Sequence, residues 1–239
     1  MMRIADLLSL AVLDYQEAWQ LQHSLVRERL DERRPDTLVL LEHSPVYTIG
    51  RSGKTEHWGD ELTLRATGIP ICRVERGGSI TYHGPGQIVG YPILRLGDYC
   101  AGPKAYMRLL EEVLIRTLAD WDIAATRRDH LTGVWVERNG YAKIAALGVR
   151  IVRGITLHGF ALNVRLDLAP FELIAPCGLR GCHVTSMAEL LGTEPDLGDV
   201  RKDLVTQFAE VFGVAWREGA ALPRSTADVE LSLGLGPLT

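Results

Sequence analysis

The chain has 239 residues, of which 46% are hydrophobic and 23% carry a charge. This balance is typical of a globular protein with a buried core and excludes a chain that is disordered throughout. The formal net charge of −4 argues against general binding to nucleic acid or to an anionic membrane, so we expect neither as a partner.

The N-terminal segment LLSLAVL is too short to span a membrane, and Asp6 and Asp14 flank it, unlike the ends of a signal peptide. We interpret it as a strand. Cysteines are too few for a disulfide scaffold in a chain of this length. They are Cys72, Cys100, Cys177 and Cys182. We therefore expect reduced thiols and a cytoplasmic location.

The first part of the chain predicts a helix and several strands around a glycine-rich segment. Asp14 is a candidate N-cap for a helix whose Ala18, Leu21 and Leu25 share one face. Four segments have the composition of strands, namely TLVLLEH, PVYTIG, PICRVE and IVGYPIL. The last two flank RGGSITYHGPGQ, which lacks the GK[ST] ending of a nucleotide-binding phosphate loop.

The later part of the chain predicts a helix, a hairpin, a strand and two more helices. Gly102 and Pro103 begin a helix that continues through KAYMRLLEEVLIRTLADW. The segment GVWVERNGYAKIAALGVRI predicts a β-hairpin with Asn139 and Gly140 as its two-residue turn. ITLHGFALNVRL predicts a strand, whereas MAELLG and VRKDLVTQFAEVFG predict helices.

Together these elements predict an α/β fold of the α+β type. A hairpin interrupts the alternation of strands and helices, which favours a mixed, largely antiparallel sheet with flanking helices over a doubly wound parallel sheet. We expect one main domain over residues 1–216. Residues 217–239 show little periodicity and are expected to form a loose tail.

Lys143 is the first candidate for chemistry. It lies in YAKIAALGV, where both faces of a strand would be almost entirely small or apolar. Burying an ammonium group is costly unless the charge is paired or neutralised. The position indicates either a functional lysine or an edge strand from which Lys143 reaches water, and burial costs alone favour the edge strand.

Cys177, in APCGLRGC, is the second candidate. Pro176 and Gly178 predict a turn, which tends to expose the thiol. A reactive cysteine needs nearby positive charge that raises its thiolate fraction. Most free cysteines are instead small buried hydrophobes, so the residue type alone favours the structural interpretation.

Three segments around these positions contain no Asp or Glu: residues 76–97, 143–166 and 173–188. If the three converge in the fold, the site is electropositive. Positive charge would lower the pKa of a thiol and favour an anionic partner. The basic residues in these segments are Arg76, Arg95, Lys143, Arg150, Arg153, Arg165 and Arg180.

The histidines allow two further interpretations. His83, His158 or His183 could activate Cys177 as a general base, and sequence alone does not choose among them. A zinc site built from Cys177, Cys182, His183 and His158 is less well supported, because the chain has no CxxC pair or HxxxH spacing there.

Four blocks in this order resemble the lipoyl(octanoyl) transferase family: RGGSITYHGPGQIVGY, AKIAALGVRI, ITLHGFALNV and IAPCG. The resemblance covers roughly residues 10 to 215. The family signature RGG-x-x-T-aromatic-H-x-x-G-Q-x-x-x-Tyr is matched without a departure, by Arg76, Gly77, Gly78, Thr81, Tyr82, His83, Gly86, Gln87 and Tyr91.

The resemblance implies an acyltransferase that moves an octanoyl group from octanoyl-acyl carrier protein to a lysine of a lipoyl domain. The acceptors it implies are lipoyl domains of 2-oxoacid dehydrogenase complexes and the glycine cleavage H protein, and we expect no cofactor and no metal. Members are similar in fold to biotin and lipoate protein ligases. They use a cysteine that is transiently acylated and a lysine beside it.

By position, the resemblance assigns the acylated cysteine to Cys177 and the lysine to Lys143. His83 is the third catalytic candidate, as a group that orients the lysine or the thioester; alternatively, His83 and Gln87 only cap their own loop. The acyl-binding segments correspond to Arg76, Gly77, Gly78, Ser79, Ile80, Thr81, Tyr82, His83, Ala146, Leu147, Gly148, Gly159, Phe160 and Ala161.

Two larger surfaces follow from the same interpretation. We expect an apolar channel for the octanoyl chain, lined by Tyr91, Leu147, Leu157 and Phe160. Acyl carrier proteins are acidic, so a basic surface should dock the donor. Its candidates are Arg150, Arg153, Arg165 and Arg180.

Three rival interpretations remain. An ATP-dependent lipoate or biotin ligase would share the fold and the glycine-rich segment, but it would activate a free acid with ATP. A noncatalytic module that binds lipoyl domains or acyl proteins would not need Cys177. A papain-like hydrolase would use water as the final acceptor.

Overall fold

The computed structural model describes residues 2–58, 61–138, 140–176 and 182–217. Within these ranges the chain forms two sheets with helices on both faces of the larger one. Four residues singled out above lie outside the described ranges: Asn139, Cys177, Gly178 and Arg180. In the described part, no helix is long and apolar enough to cross a membrane.

The α-helices are α1 (Tyr15–Leu30), α2 (Glu61–Ala66), α3 (Pro103–Ala119), α4 (Met187–Leu191) and α5 (Leu197–Phe212). The strands are β1 (Arg3–Leu13), β2 (Thr37–His43), β3 (Val46–Ile49), β4 (Ile71–Arg73), β5 (Ile80–His83), β6 (Gln87–Ile93), β7 (Ala125–Arg128), β8 (Leu131–Glu137), β9 (Tyr141–Val152), β10 (Ile155–Asn163), β11 (His183–Val184) and β12 (Val214–Arg217).

The main sheet has the order β12-β1-β2-β6-β10-β9-β8-β7, and β11 also pairs with β9. Strand β1 is parallel to β2 and to β12, and β11 is parallel to β9. Along the remaining spatial order, β2-β6-β10-β9-β8-β7, each strand is antiparallel to the next. The predicted mixed, largely antiparallel sheet with flanking helices is therefore confirmed.

The continuous apolar run of β2 follows from burial on both of its faces. Leu38 and Leu40 point towards a core that also contains residues of α3 and α5, whereas Val39 and Leu41 point towards α1. Alternation along a strand sends neighbouring side chains to opposite faces, so both faces must be apolar when helices cover both.

Helix α1 begins where the sequence predicts. The Asp14 side chain accepts a hydrogen bond from the Gln16 backbone N–H at 2.8 Å, which satisfies one of the free donors of the first turn. Ala18, Leu21 and Leu25 are buried against the sheet. Helix α1 thus places its N-terminus, with Tyr15, beside the central strands.

The glycine-rich segment is more ordered than its composition suggests. Ile80–His83 forms strand β5, which pairs antiparallel with β3 in a small second sheet of order β4-β3-β5. Val46 faces His83, and Ile49 faces Ile80 in this pairing. Pairing with residues 31 to 37 positions earlier in the chain supplies the backbone hydrogen bonds that local composition did not predict.

The predicted hairpin is present as the antiparallel strands β8 and β9, but three residues, 138–140, separate the paired Glu137 and Tyr141 instead of the predicted two-residue turn. Besides β5, four short elements were not predicted: helix α2 and strands β7, β11 and β12. Arg217, at the start of the expected tail, is the last residue of β12, and its guanidinium lies 2.8 Å from a carboxylate oxygen of Asp6. Residues 218–239 lie outside the described part of the chain.

Candidate active site

A cavity lies where β6, β9 and β10 meet the small sheet and the N-terminus of α1. It brings together the sequence blocks that carry the family resemblance. The predicted residues that line it are Arg76, Gly78, Ser79, Ile80, Thr81, His83, Tyr91, Lys143, Ala146, Leu147, Gly148, Gly159, Phe160 and Ala161. Its lining also includes Tyr15, Gln87, Val89, His158, Asn163, Phe171, Pro176 and Val184.

Three predicted residues are not part of this lining. Leu157 is buried in the apolar cluster beneath α1, nearer the start of β10 than the residues of that strand that line the cavity. The Tyr82 ring packs 5.4 Å from the Tyr47 ring and 5.8 Å from the Phe171 ring, between ring centroids. Gly77 contacts strand β9 through its backbone, since its N–H donates to the Val149 carbonyl at 3.0 Å.

Lys143 is buried, with only 3% of its surface exposed. Its strand β9 lies between β8 and β10, so the edge-strand interpretation is wrong. The Nζ atom donates to the Thr132 carbonyl at 2.9 Å and lies 4.6 Å from the centroid of the Trp135 ring. A carbonyl and an aromatic face both stabilise an ammonium group that has left water.

Gly133 makes room for the lysine side chain. It has φ of +131°, and a Cβ atom there would lie 2.9 Å from Lys143 Cε. A larger residue would therefore be strained and would push against the lysine stem. This position was not among the predicted site residues, although a glycine inside a strand often marks a close approach.

The segment that carries Cys177 lies outside the described residues, but both of its described flanks reach the cavity. Pro176 and Val184 line it. Strand β11 pairs with β9 in parallel, and Val184 stands opposite Lys143. The described residues on both sides of this segment therefore reach the cavity that Lys143 also lines.

The zinc interpretation gains no support from the described residues. His158 is buried in β10, whereas His183 is exposed. Within the placed part of the chain, no three side chains of His, Cys, Asp or Glu come together as a metal site.

His83 is buried, and both of its ring nitrogens have protein partners. Nδ1 lies 2.7 Å from Gln87 Oε1, and Nε2 lies 3.3 Å from Thr48 Oγ1. Burial, together with the neighbouring His43, lowers the pKa of His83 well below its usual value. The ring is therefore neutral at physiological pH.

Two more buried histidines stand near His83. His43 contacts the Tyr91 hydroxyl at 2.6 Å through Nε2, and burial lowers its pKa to about 4. His158 lines the cavity, and burial lowers its pKa to about 3. Neither residue adds positive charge to the site near neutral pH.

Among the described residues that line the cavity, Arg76 and Lys143 are the lysine and arginine side chains. Arg76 is anchored by Nη2, which donates to the Thr48 carbonyl at 2.7 Å and to Thr48 Oγ1 at 2.8 Å. The adjacent Glu75 contacts His23 at 3.1 Å and Arg150 at 3.5 Å instead. Burial opposes ionisation of Glu75, but the hydrogen bond from His23, the neighbouring His158 and a backbone hydrogen bond together outweigh it, and the pKa falls to about 2.

The three acid-free segments thus converge on the cavity, as expected. A carboxylate nevertheless lies close to it, since Glu75 Oε1 is 4.0 Å from Nε2 of His158, which lines the cavity. Arg165 also has an acidic partner, Glu194, at 3.7 Å.

Comparison with known proteins identifies the family. The model of the lipoyl protein ligase A/B catalytic domain matches residues 14–209.

The chain belongs to this family.

Curated relatives resemble the chain over most of its length. An octanoyltransferase from Rubrobacter xylanophilus is 48% identical over 202 residues, which cover 83% of this chain and 89% of the relative. An octanoyltransferase from Chloroflexus aggregans is 43% identical over 213 residues, which cover 88% and 96%. The predicted resemblance to this acyltransferase family is confirmed.

The fold is shared with lipoate protein ligases. The solved structure of a bi-partite lipoate protein ligase from Thermoplasma acidophilum has a TM-score of 0.72 at 18% identity, covering 95% of this chain and 90% of that chain. At this identity the likeness concerns the fold alone. It confirms the prediction of a lipoate ligase-like architecture.

Sequence reasoning did not single out several polar residues that surround the site in this member of the lipoyl protein ligase A/B family. They are Tyr15, His43, Thr48 and Asn163. Asn163 carried the clearest signal, because it is a polar residue at the end of the apolar run ITLHGFALN. Tyr15 and Thr48 become visible only when α1 and β3 are packed against β6 and β5.

Proposed function

We propose that this chain is an octanoyltransferase that moves an octanoyl group from octanoyl-acyl carrier protein to a lysine of a lipoyl domain. Cys177 carries the group as a thioester, and Lys143 transfers the protons. One observation carries the proposal: a buried lysine lines an apolar cavity built from the acyl-binding blocks, between the two flanks of the Cys177 segment. Lipoyl domains of 2-oxoacid dehydrogenase complexes and of the glycine cleavage H protein are the acceptors.

The first half-reaction acylates the cysteine. The Cys177 thiolate, favoured by the Lys143 ammonium, attacks the carbonyl carbon of the donor thioester. A new C–S bond forms and the bond to the carrier sulfur breaks. The carrier sulfur takes a proton from Lys143, which becomes neutral.

The second half-reaction restores the resting enzyme. The acceptor amine attacks the thioester and gives a proton to neutral Lys143. The amide bond forms, the bond to Cys177 breaks, and the sulfur leaves as a thiolate. Cys177 is then a thiolate again and Lys143 an ammonium again. The cycle therefore requires no ATP and no cofactor.

The lining of the cavity supports an acyl substrate. Val89, Leu147, Phe160 and Ala161 supply apolar surface along three neighbouring strands. Burying a methylene of the acyl chain contributes about 0.8 kcal/mol of transfer free energy. The polar groups lie around this surface, where they can orient the thioester carbonyl.

The donor protein is acidic, so its docking surface should be basic. Arg150 and Arg165 already have acidic partners, whereas Arg153 is exposed at the turn between β9 and β10. Arg153 is thus the strongest described candidate for donor docking. Arg180 belongs to the segment outside the described residues.

Intact mass spectrometry tests the proposal. The protein is mixed with an octanoyl thioester in the absence of ATP and then chased with a lipoyl domain. We expect an octanoyl adduct that forms on the wild type, is absent from Cys177→Ser and moves to the lipoyl domain. Cys182→Ser is the matched control and should still form the adduct.

The other outcomes identify the rival functions. Acylation of the lipoyl domain only from free acid and ATP would indicate a ligase. Release of octanoic acid without any lipoyl domain would indicate a hydrolase. Binding of the lipoyl domain without an adduct, unchanged in Cys177→Ser, would indicate a noncatalytic module.

A further inference from the structure

Six buried residues next to the cavity form a continuous hydrogen-bonded chain, in the order Arg76, Thr48, His83, Gln87, Asn163 and Thr185. Thr48 Oγ1 lies 2.8 Å from Arg76 Nη2 and 3.3 Å from His83 Nε2. Gln87 Oε1 lies 2.7 Å from His83 Nδ1, and Gln87 Nε2 lies 2.8 Å from Asn163 Oδ1. The chain ends where Asn163 Nδ2 donates to the Thr185 carbonyl at 3.0 Å.

Both ends of this chain have a fixed hydrogen-bonding role. A guanidinium can only donate, so Thr48 Oγ1 accepts from Arg76 and has its own proton free for His83 Nε2. A backbone carbonyl can only accept, so Asn163 turns its amide N–H to Thr185 and its oxygen to Gln87. Each residue of the hydrogen-bonded chain therefore donates to the next one, starting at Arg76 and ending at the Thr185 carbonyl.

The Gln87 amide is fixed a second time by another carbonyl. Its Nε2 also lies 3.3 Å from the Tyr82 carbonyl, which again requires the amide nitrogen on that side. Gln87 Oε1 must then accept a proton from His83. This assigns His83 as the tautomer with a proton on Nδ1 and a lone pair on Nε2.

The two ends of the chain belong to opposite sides of the cavity. Arg76 opens the glycine-rich segment, which lines one side. Thr185 follows β11, and its backbone N–H donates to the Lys143 carbonyl at 2.9 Å. Asn163 thus holds the strand that returns from the Cys177 segment at the position of Lys143.

We propose that this directional chain is a positioning element that holds the return strand of the Cys177 segment in register with Lys143, with His83 in its Nδ1–H form as a central link. The inference rests on the proposed function. His83 acts through Gln87 and Asn163, because both of its ring nitrogens are occupied within the chain. It is therefore a positioning residue and does not exchange protons with substrate.

The tautomer of His83 can be measured without substrate. In protein labelled with ¹⁵N at histidine, we expect Nδ1 of His83 to resonate as a protonated imidazole nitrogen and Nε2 as an unprotonated one. Loss of the signals in His83→Asn assigns them. A proton on Nε2, or on both nitrogens, would overturn the direction of the chain.

Asn163→Asp tests the positioning role, since it keeps the acceptor for Gln87 and removes the donor to Thr185. At about pH 8, we expect single-turnover acylation to slow by roughly tenfold to a hundredfold, the range associated with small misplacements of reacting groups. The KM for a small octanoyl thioester should stay within about threefold of wild type, since the variant leaves the described cavity lining otherwise intact.

Lowering the pH should rescue this variant. Burial beside the Thr185 carbonyl raises the pKa of the introduced carboxyl group, and its protonated form can donate to that carbonyl again. The ratio of variant to wild-type acylation rate should therefore rise as the pH falls. A ratio that stays constant with pH, or an unchanged rate at about pH 8, would overturn the proposal.

Thr156→Val is the matched control for lost stability. Thr156 is buried in the same strand β10, and its hydroxyl donates to the Pro92 carbonyl at 2.6 Å, away from the chain. We expect this variant to be less stable but to acylate at the wild-type rate. If Asn163→Asp does not fold, Gln87→Glu replaces it, because a carboxylate there cannot donate to Asn163.

The two measurements separate failure of this inference from failure of the proposed function. A wild-type protein that forms no acyl adduct contradicts the proposed function, while the His83 spectrum still decides the direction of the chain. An active wild type with an equally active Asn163→Asp contradicts the positioning role alone.

Discussion

Lys143 buries a side chain that is costly to take out of water, and the proposed mechanism uses this side chain. Its ammonium is nearly out of water, and its described stabilising contacts are the Thr132 carbonyl and the Trp135 ring. The proposed mechanism requires this lysine to give up a proton and take it back during the reaction cycle.

At this scale we expect Lys143→Met to keep the fold and to lose acyl transfer by roughly 10²- to 10⁴-fold, the usual contribution of a proton-transfer residue. The free energy of unfolding should change by about 1 kcal/mol or less, because a buried charge is replaced by an apolar chain of similar length. Lys202→Met, at a side chain that is 77% exposed, should leave both quantities unchanged. Steady-state transfer rates and urea unfolding of the three proteins measure this, and full activity in Lys143→Met would refute the role of the lysine.

At the scale of elements, close backbone approach determines how β9 meets the glycine-rich segment. A Cβ atom on Gly148 would lie 2.7 Å from the Gly77 carbonyl oxygen and 3.1 Å from Arg76 Cδ. Neither the Gly77 backbone nor the anchored Arg76 side chain can easily move aside for a side chain at position 148. The absence of a side chain at position 148 therefore lets Arg76 reach the cavity wall.

We expect Gly148→Ala to destabilise the protein by roughly 1–3 kcal/mol, the usual cost of overpacking. It should also raise the KM for an octanoyl thioester, because Arg76 and the glycine-rich segment must shift. Gly97→Ala is the control, since a Cβ atom there meets nothing within 4 Å. Thermal unfolding and steady-state kinetics test this, and a Gly148→Ala variant that matches the control in both would contradict it.

At the scale of the whole molecule, the buried histidines make stability depend on pH. Burial lowers the pKa of His43 to about 4 and of His158 to about 3, and that of His83 well below its ordinary value. The unfolded chain, with histidines near pKa 6.5, binds more protons than the folded protein at pH values below that. Stability from these groups is complete above about pH 6.5 and is lost as the pH falls.

We therefore expect the free energy of unfolding to fall between about pH 6.5 and about pH 4, by up to roughly 1.4 kcal/mol per pH unit for each buried histidine. Urea unfolding at several pH values measures the slope. His43→Gln should make the slope shallower by the contribution of one histidine, up to roughly 1.4 kcal/mol per pH unit. A stability that is constant across this range would show that the histidines take up protons in the folded protein.

Several parts of the molecule were predictable from local pattern. Asp14 as an N-cap, the α1 face with Ala18 and Leu21, and the β8–β9 hairpin each depend on residues close together in the sequence. The signature from Arg76 to Tyr91 likewise identified the family, because its residue types are specific by themselves. Such features follow from periodicity, capping and turn chemistry, which act over a few residues.

The sequence alone determined the residue types that can carry chemistry and most of the strands and helices. Only the tertiary structure decided that Lys143 is buried and that His83 is linked to Thr185. Thr48 and His83 are 35 residues apart, and Gln87 and Asn163 are 76 apart. Contacts at these separations depend on which strands pair and in which register, and no local pattern in the chain specifies that pairing.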